Sequence, residues 1–444
     1  MTIPVIQVLV GFETSATFGT PFKLDNAVTG VLDTAGRGTL GGIQFADLTS
    51  LVQSVNINRG RSRQLQEFNA GTATVSFWNK ERALDPLNTA SPYWNSTAGT
   101  TGIVPRLPIV INANGIPIYT GLVTDWNVDY DLANNDMAYA TCADSFTVLA
   151  SNTLLDHTTV QELSSTRINT VLDYAEVNYA GARAIGTGSS TLGGTAAAVG
   201  FSVVDGTALL NYLQTVTTSE QGYLYMSAAG TLTFKGRTAV LNPVAGASFG
   251  GVSDIPMQTL INEFGDELLY NYIITESPAG AQQVASDTAS INQYQTQTYS
   301  QTSLLNATTT EVASLGQYLL GKYKQPVLRF TGLSTQLLAL TEAQQNICLN
   351  LDLTSIANVV KNFAVGSPST VTQTLIVSGI SHNITPGSHI VTYTFEAADG
   401  NQYFTLDDSI FGRLAGTSLY DDPIMYDQPE LIYDNSFVGS LLGF

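Results

Sequence analysis

The sequence predicts a mainly β protein with α+β inserts, and three observations predict it. Ala73, Val75 and Phe77 alternate with Thr72, Thr74 and Ser76, the period-two pattern of a half-buried strand. Asn114-Gly115 separates two apolar runs, and that dipeptide suits the tight turn of a hairpin. Val391, Tyr393 and Phe395 mark one face of another alternating run far down the chain. With 444 residues, 44% of them hydrophobic, the chain can bury two or more packed cores.

Residues 1–150 read as a first β domain, a small barrel or sandwich. Strands are expected over Pro4–Val10, around Leu51, Val55 and Ile57, over 72–79, over 107–112 and over 116–126. Asp85-Pro86-Leu87-Asn88 makes a turn. Trp126, Val128, Tyr130 and Leu132 continue the alternation, Asn134-Asn135-Asp136 turns the chain, and 137–150 returns as a strand. Residues 151–200 change character. Thr159-x-x-Glu162 has the form of a capping box, and Val160, Leu163, Ile168, Val171, Leu172 and Ala175 follow at helical spacing. Ala180–Gly200, rich in Gly, Ala, Ser and Thr, reads as a loop or insertion.

Residues 201–262 form a small α+β insert: a helix over Thr207–Thr217, then strands over 222–227 and 231–235 turned by Ala228-Ala229-Gly230. Residues 263–400 read as a second β domain. It has strands over Leu268–Glu276, Val327–Leu333, Leu349–Leu353, Thr370–Ile380 and Ile390–Ala397, and an inserted helix over Thr310–Lys324. The polar run Gln282–Thr310 is expected as an extended excursion with little core. Residues 401–444, acidic and aromatic with Arg413 as their one cation, read as an extended arm that docks on something else.

Charge narrows the function. There are 36 acidic against 17 basic residues, a net charge of −19, which argues against a basic nucleic-acid groove. Charged residues make up only 12%, about half the usual share, so much of the surface is expected to face other copies or other proteins. Cys142 and Cys348 are far apart and are expected as free, buried thiols; without a CxxC no zinc site is expected. MTIPVIQVLVGF lacks a basic leader region and is too short to span a bilayer, so a soluble protein with no export signal and no membrane contact is expected.

Catalytic and metal motifs fail on context. Gly246-Ala-Ser248-Phe-Gly250 has the nucleophile-elbow spacing, yet Pro243 precedes it and Ser253-Asp254-Ile255-Pro256 follows where a helix is needed. Asp125, Asn127, Asp129, Asp131 and Asp136 sit at calcium-loop spacing, but Tyr130 occupies the obligatory glycine position and no glutamate closes the loop. His157, His382 and His389 have no metal-ligand spacing and are expected as core or surface histidines. No catalytic residue, metal or cofactor is assigned, and the chain is expected not to be an enzyme.

The stretch around which the rest is organised is Arg59–Asn88. Arg59, Arg61 and Arg63 stand at alternating positions in the connector before the 72–79 strand. They either cover a sheet edge and pair with acids, or present planar guanidiniums to a neighbouring subunit. A second interface candidate is an internal echo. Phe22-x-Leu24-Asp25-Asn26-x-Val28-x-Gly30-x-Leu32 matches Phe404-x-Leu406-Asp407-Asp408-x-Ile410-x-Gly412-x-Leu414 at one constant offset, with a weaker copy at Asp434-Asn435-x-Phe437. Each is a short apolar strand, an Asx turn and a glycine-interrupted strand, expected to clip onto neighbours by strand addition.

Arg59-Gly-Arg-Ser-Arg63, with Leu65, Phe68 and Ala70-Gly-Thr-Ala-Thr-Val75, then a basic-acidic run and Asp85-Pro-Leu-Asn88, resembles the minor tail proteins of long-tailed bacteriophages, relatives of baseplate hub proteins. Gly121–Trp126, Ala140–Asp144, Leu209–Arg237, Leu269–Ile273 and Tyr318–Tyr323 extend the resemblance over most of the chain. The resemblance implies two hub-type β-barrel domains per chain joined by helical and mixed segments, and a homotrimer whose six barrels adapt a sixfold tail tube to a threefold tip. It implies a virion protein at the tail tip, made in the bacterial host's cytoplasm. Its partners would be the distal tail or tube protein, the tape measure protein and other tip or fibre proteins. Genomic DNA would pass the acidic lumen without specific binding. The acidic arm and the lack of an appended lytic domain depart from the pattern. The alternatives are a hexameric distal tail ring, a host-glycan-binding module using tyrosines such as Tyr294 and Tyr299, and an enzyme dependent on Ser248.

Overall fold

The structure is a computed structural model that describes residues 3–12, 44–96, 99–131, 135–240 and 245–398. The echo at Phe22, Leu24 and Asp25 and its counterparts at Phe404, Leu406, Asp407, Asp408 and Phe437 lie outside the described residues, as does the whole 401–444 segment.

Strands of the main sheet are numbered in chain order; shorter strands are given by residue. The N-terminal part supplies β1 (Ile6–Phe12), β2 (Gln44–Asp47), β3 (Val52–Gly60), β4 (Asn69–Trp78), β5 (Pro108–Ala113), β6 (Ile116–Asp129) and β7 (Met137–Ala143). The C-terminal part supplies β8 (Ala247–Phe249), β9 (Thr259–Glu263), β10 (Arg329–Gln336), β11 (Ile356–Asn362), β12 (Thr370–Thr385) and β13 (Ser388–Ala397). The alternation in the sequence is realised directly. Ala73, Val75 and Phe77 are buried on β4, and Val391, Tyr393 and Phe395 on β13, because only one face of each strand meets the core. Asn114 and Gly115 both take positive φ, 51° and 76°, as a primed two-residue hairpin requires.

The two halves form one continuous sheet. Its order is β9-β10-β13-β12-β3-β4-β7-β6-β5-β1-β2, with β11 beside β12 and β8 beside β11. The junction is the antiparallel pairing of β12 with β3, from Gly379 opposite Gly60 to Ile384 opposite Val55. One edge of β12 serves two partners. Its first part, Thr370–Ile376, pairs with β11, and its second, from Gly379, pairs with β3. The change falls at a bulge between Val377 and Gly379, which bends the strand from one neighbour to the other. A single apolar cluster runs from Val8 to Phe395 across both halves.

The helices are α1 (Phe146–Ser151), α2 (Ser164–Leu172), α3 (Leu209–Glu220), α4 (Thr288–Tyr294), α5 (Thr309–Tyr323) and α6 (Glu342–Asn350). Several differ from expectation. The strand expected over 137–150 stops at Ala143. Asp144 accepts the amides of Gly71 and Phe146, and α1 begins there. The Thr159-x-x-Glu162 pattern caps nothing: α2 starts at Ser164, and Val160 and Leu163 are exposed. Glu162 is taken instead by the buried Arg167, which also reaches Tyr212 and the carbonyls of Val160 and Gly193. The strand expected at Leu349–Leu353 is the end of α6 and the turn after it; its start carries a true capping box, Thr341 with Gln344.

Two low-complexity stretches are better built than their composition implies. In the 180–200 run Leu192 is fully buried, and Glu220 gathers the amides of Ser189 and Ser190 and the hydroxyls of Ser164 and Ser189. Burial alone would raise that carboxyl, but the hydrogen bonds outweigh it and hold Glu220 below its ordinary value. The polar run 282–310 folds too. Strands Gln283–Ser286 and Thr298–Gln301 flank Tyr272–Thr275 in a three-stranded sheet against α5. Ile273, Ala285, Leu304, Val312, Leu315 and Leu319 make a second core separate from the first.

Candidate functional site

The arginine stretch lies at the junction of the two halves. Arg59 lies in β3, one residue before its end, rather than in the connector, and Arg61 and Arg63 follow in the turn to β4. Arg59 is buried. Its Nη2 donates to Asp352 Oδ1 at 2.7 Å and to the carbonyl of Met226 at 3.0 Å. The other oxygen of Asp352 accepts the amide of Ala228 at 2.9 Å. One ion pair thus ties β3, the Tyr223–Lys235 hairpin and the turn after α6 together.

Arg61 crosses the junction in the other direction. It pairs with Glu396 of β13, and its Nη1 donates to the carbonyl of Gln66 at 2.9 Å. The guanidinium lies 4.8 Å from the centre of the Phe68 ring and 5.3 Å from that of Tyr223, within cation–π range. Arg63 is different: it stands 3.6 Å from Glu267, and both side chains are more than half exposed, so the pair contributes little to stability. The alternating spacing therefore separates the buried Arg59 and the largely covered Arg61, both committed within the chain, from Arg63 at the surface.

Sequence reasoning did not single out Asp352, Glu396 or Tyr223. Asp352 and Glu396 lie 293 and 335 residues from their arginines, so no local pattern announces them.

The junction also carries a buried imidazole pair. His382, on β12 opposite Ile57, and His389, on β13, approach at 3.1 Å between Nδ1 and Nε2. Burial pushes His389 down to about 4. Burial, then His389 and Arg59, pushes His382 well below its ordinary value. Both rings are neutral when folded, whereas an unfolded histidine titrates near 6.5. The folded state therefore binds fewer protons, and stability present above pH 6.5 is lost as pH falls through about 4. For His389 the loss amounts to about 3 kcal/mol. Asp144 works in the opposite sense: burial pushes it up to about 6, so acidification favours its folded form. Urea unfolding at pH 7 and pH 4.5 is expected to show a smaller acid loss in His389→Gln than in the native chain. Equal losses would remove the imidazole pair as the cause.

The motifs set aside on sequence fall as follows. Ser248 lies in β8, parallel to β11, with no helix after it. Asp125, Asn127 and Asp129 lie along the extended β6. His157 stacks on Tyr174 and bonds Glu176 at 2.6 Å. Cys142 and Cys348 are free and buried. No helix among the described residues is long and apolar enough to cross a membrane.

No protein-family model matches the chain, and no curated protein does. Solved structures do match. The 43 kDa tail protein of prophage MuSo2 from Shewanella oneidensis superposes with a TM-score of 0.53 at 9% identity, over 90% of this chain and 98% of that one. This chain has a phage tail-protein fold. A tail protein from Neisseria meningitidis MC58 matches at a TM-score of 0.54 and 10% identity, over 89% of this chain and 97% of the other. At such low identity what is shared is the backbone plan. The tail-protein fold is thus mainly β here, with the arginine pairs at the centre of its sheet.

Proposed function

We propose that this chain is a structural protein of a phage tail, and that three copies form a hub at the distal end. The observation that carries the reading is the fold likeness over nearly the full length of two tail proteins. Two further features support it. The chain brings two β halves side by side in one sheet, so three chains would present six such halves and adapt a sixfold tube to a threefold tip. Its net charge of −19 suits a channel through which DNA slides without adhering.

In this reading the two halves are the two hub-type barrels, and the tube protein, tape measure protein and tip or fibre proteins are the neighbours. Arg63, exposed at the junction, is the arginine available to a neighbouring subunit. The role is mechanical and needs no catalytic group or cofactor.

The assembly mass tests it. Native mass spectrometry of the purified chain at micromolar concentration is expected to find a species of three times 47.2 kDa. Six copies would favour the distal ring instead, and a monomer at every concentration would sink the hub reading.

A further inference from the structure

A groove opens between the 61–68 loop, α3 and the insert built on α5. Arg61, Phe68 and Tyr223 of the Arg61–Glu396 site form its inner wall, and the assembly reading does not use it. We propose that this groove binds a neutral oligosaccharide. Gln64 and Glu67 line it from the loop, Gln214 from α3, Tyr299 and Gln301 from the insert's sheet, and Tyr318 from α5.

The chemistry of that set is selective. Carboxamides offer one acceptor and two donors each, and a carboxylate offers acceptors only. Sugar hydroxyls both donate and accept, so vicinal hydroxyls match a mixed array of amides and one acid. Half-buried Tyr299 and Tyr318 add ring surface for the apolar C–H faces of pyranoses, as ligand sites combine aromatic walls with a few polar groups.

One observation points to a ligand group. Gln64 is 9% exposed, yet its Nε2 has no hydrogen-bond partner among the described residues. A buried donor left unmade is costly, and a hydroxyl oxygen at the groove wall would serve it after a small rotation of the amide. The exposed Glu67 carboxylate, on the same wall, is placed to accept hydroxyl protons. Charge favours a neutral ligand. Arg61 is matched by Glu396, and Lys322 and Glu67 on the groove oppose each other in sign.

The test uses the full chain with three probes: chitotriose, maltotriose and cellotriose. Saturation-transfer NMR is expected to detect at least one, and titration to give a Kd of about 1 mM or tighter. Gln214→Ala and Glu67→Ala are each expected to weaken that probe by about fivefold or more at unchanged melting temperature. Tyr299→Ala is expected to abolish binding; because it also touches Tyr270, the two polar variants carry the test if it misfolds. No transfer from any probe at about 10 mM would overturn the proposal, as would binding that survives Gln214→Ala combined with Glu67→Ala. The inference rests on the groove alone, so the assembly mass can fail or hold without deciding it.

Discussion

Glu396→Ala is expected to destabilise the chain by about 3–5 kcal/mol, the cost of leaving a buried charge without its partner. Side-chain exposure is 1% for Glu396 and 10% for Arg61, so water cannot replace the lost carboxylate. The guanidinium is also fixed between Phe68 and Tyr223, which leaves it little room to reach solvent. The pair is not fully satisfied within the described residues: among them Arg61 Nε and Glu396 Oε1 have no partner. Its net contribution is therefore smaller than the cost of breaking it. Replacing both partners, Arg61→Met with Glu396→Leu, is expected to recover most of the loss, since an apolar pair leaves no uncompensated charge. Urea midpoints of the two single variants and the double variant read this directly. A single-variant loss below about 1 kcal/mol would mean that the pair is screened like a surface one.

What the sequence disclosed and what it hid follow from the range of the forces involved. Ala73, Val75 and Phe77, and Val391, Tyr393 and Phe395, were legible because a strand with one buried face writes its period into neighbouring residues. Helix starts were less so. Thr159-x-x-Glu162 and Thr341-x-x-Gln344 have the same form, but Arg167 claims Glu162 from the core while nothing competes for Gln344. Leu349–Leu353 is a short apolar run, which suits a buried strand or the end of a helix equally. The insert looked coreless because its three strands cover one face of α5 and leave polar side chains outward. Of the candidate site, sequence supplied the arginines and withheld their acids. Only the closing of β3 on β12 brings Asp352 and Glu396 to them, and that contact spans most of the chain.

Gly60→Ala is expected to cost more than about 4 kcal/mol. Two terms act together. Gly60 has φ of +106°, a region that strains residues with a side chain. A Cβ there would also fall 2.3 Å from the carbonyl oxygen of Ser378 and 2.6 Å from the Cα of Gly379. Both are backbone atoms, held by the amide of Arg61 on that same carbonyl at 2.9 Å and by the register that sets Gly60 against Gly379. Neither can swing away as a side-chain tip would, so relief requires β3 and β12 to part. Gly115→Ala separates the terms. Its φ is +76°, but no atom of a described residue lies within 4 Å of the added carbon, so strain alone is expected, about 1 kcal/mol. Hydrogen exchange locates the damage. In Gly60→Ala the amides of 55–60 and 379–384 are expected to lose protection first. Those of α5 should keep theirs, because the insert has its own core. Equal costs for the two glycines, or uniform loss of protection, would show that the close approach of the two strands is not what joins the halves.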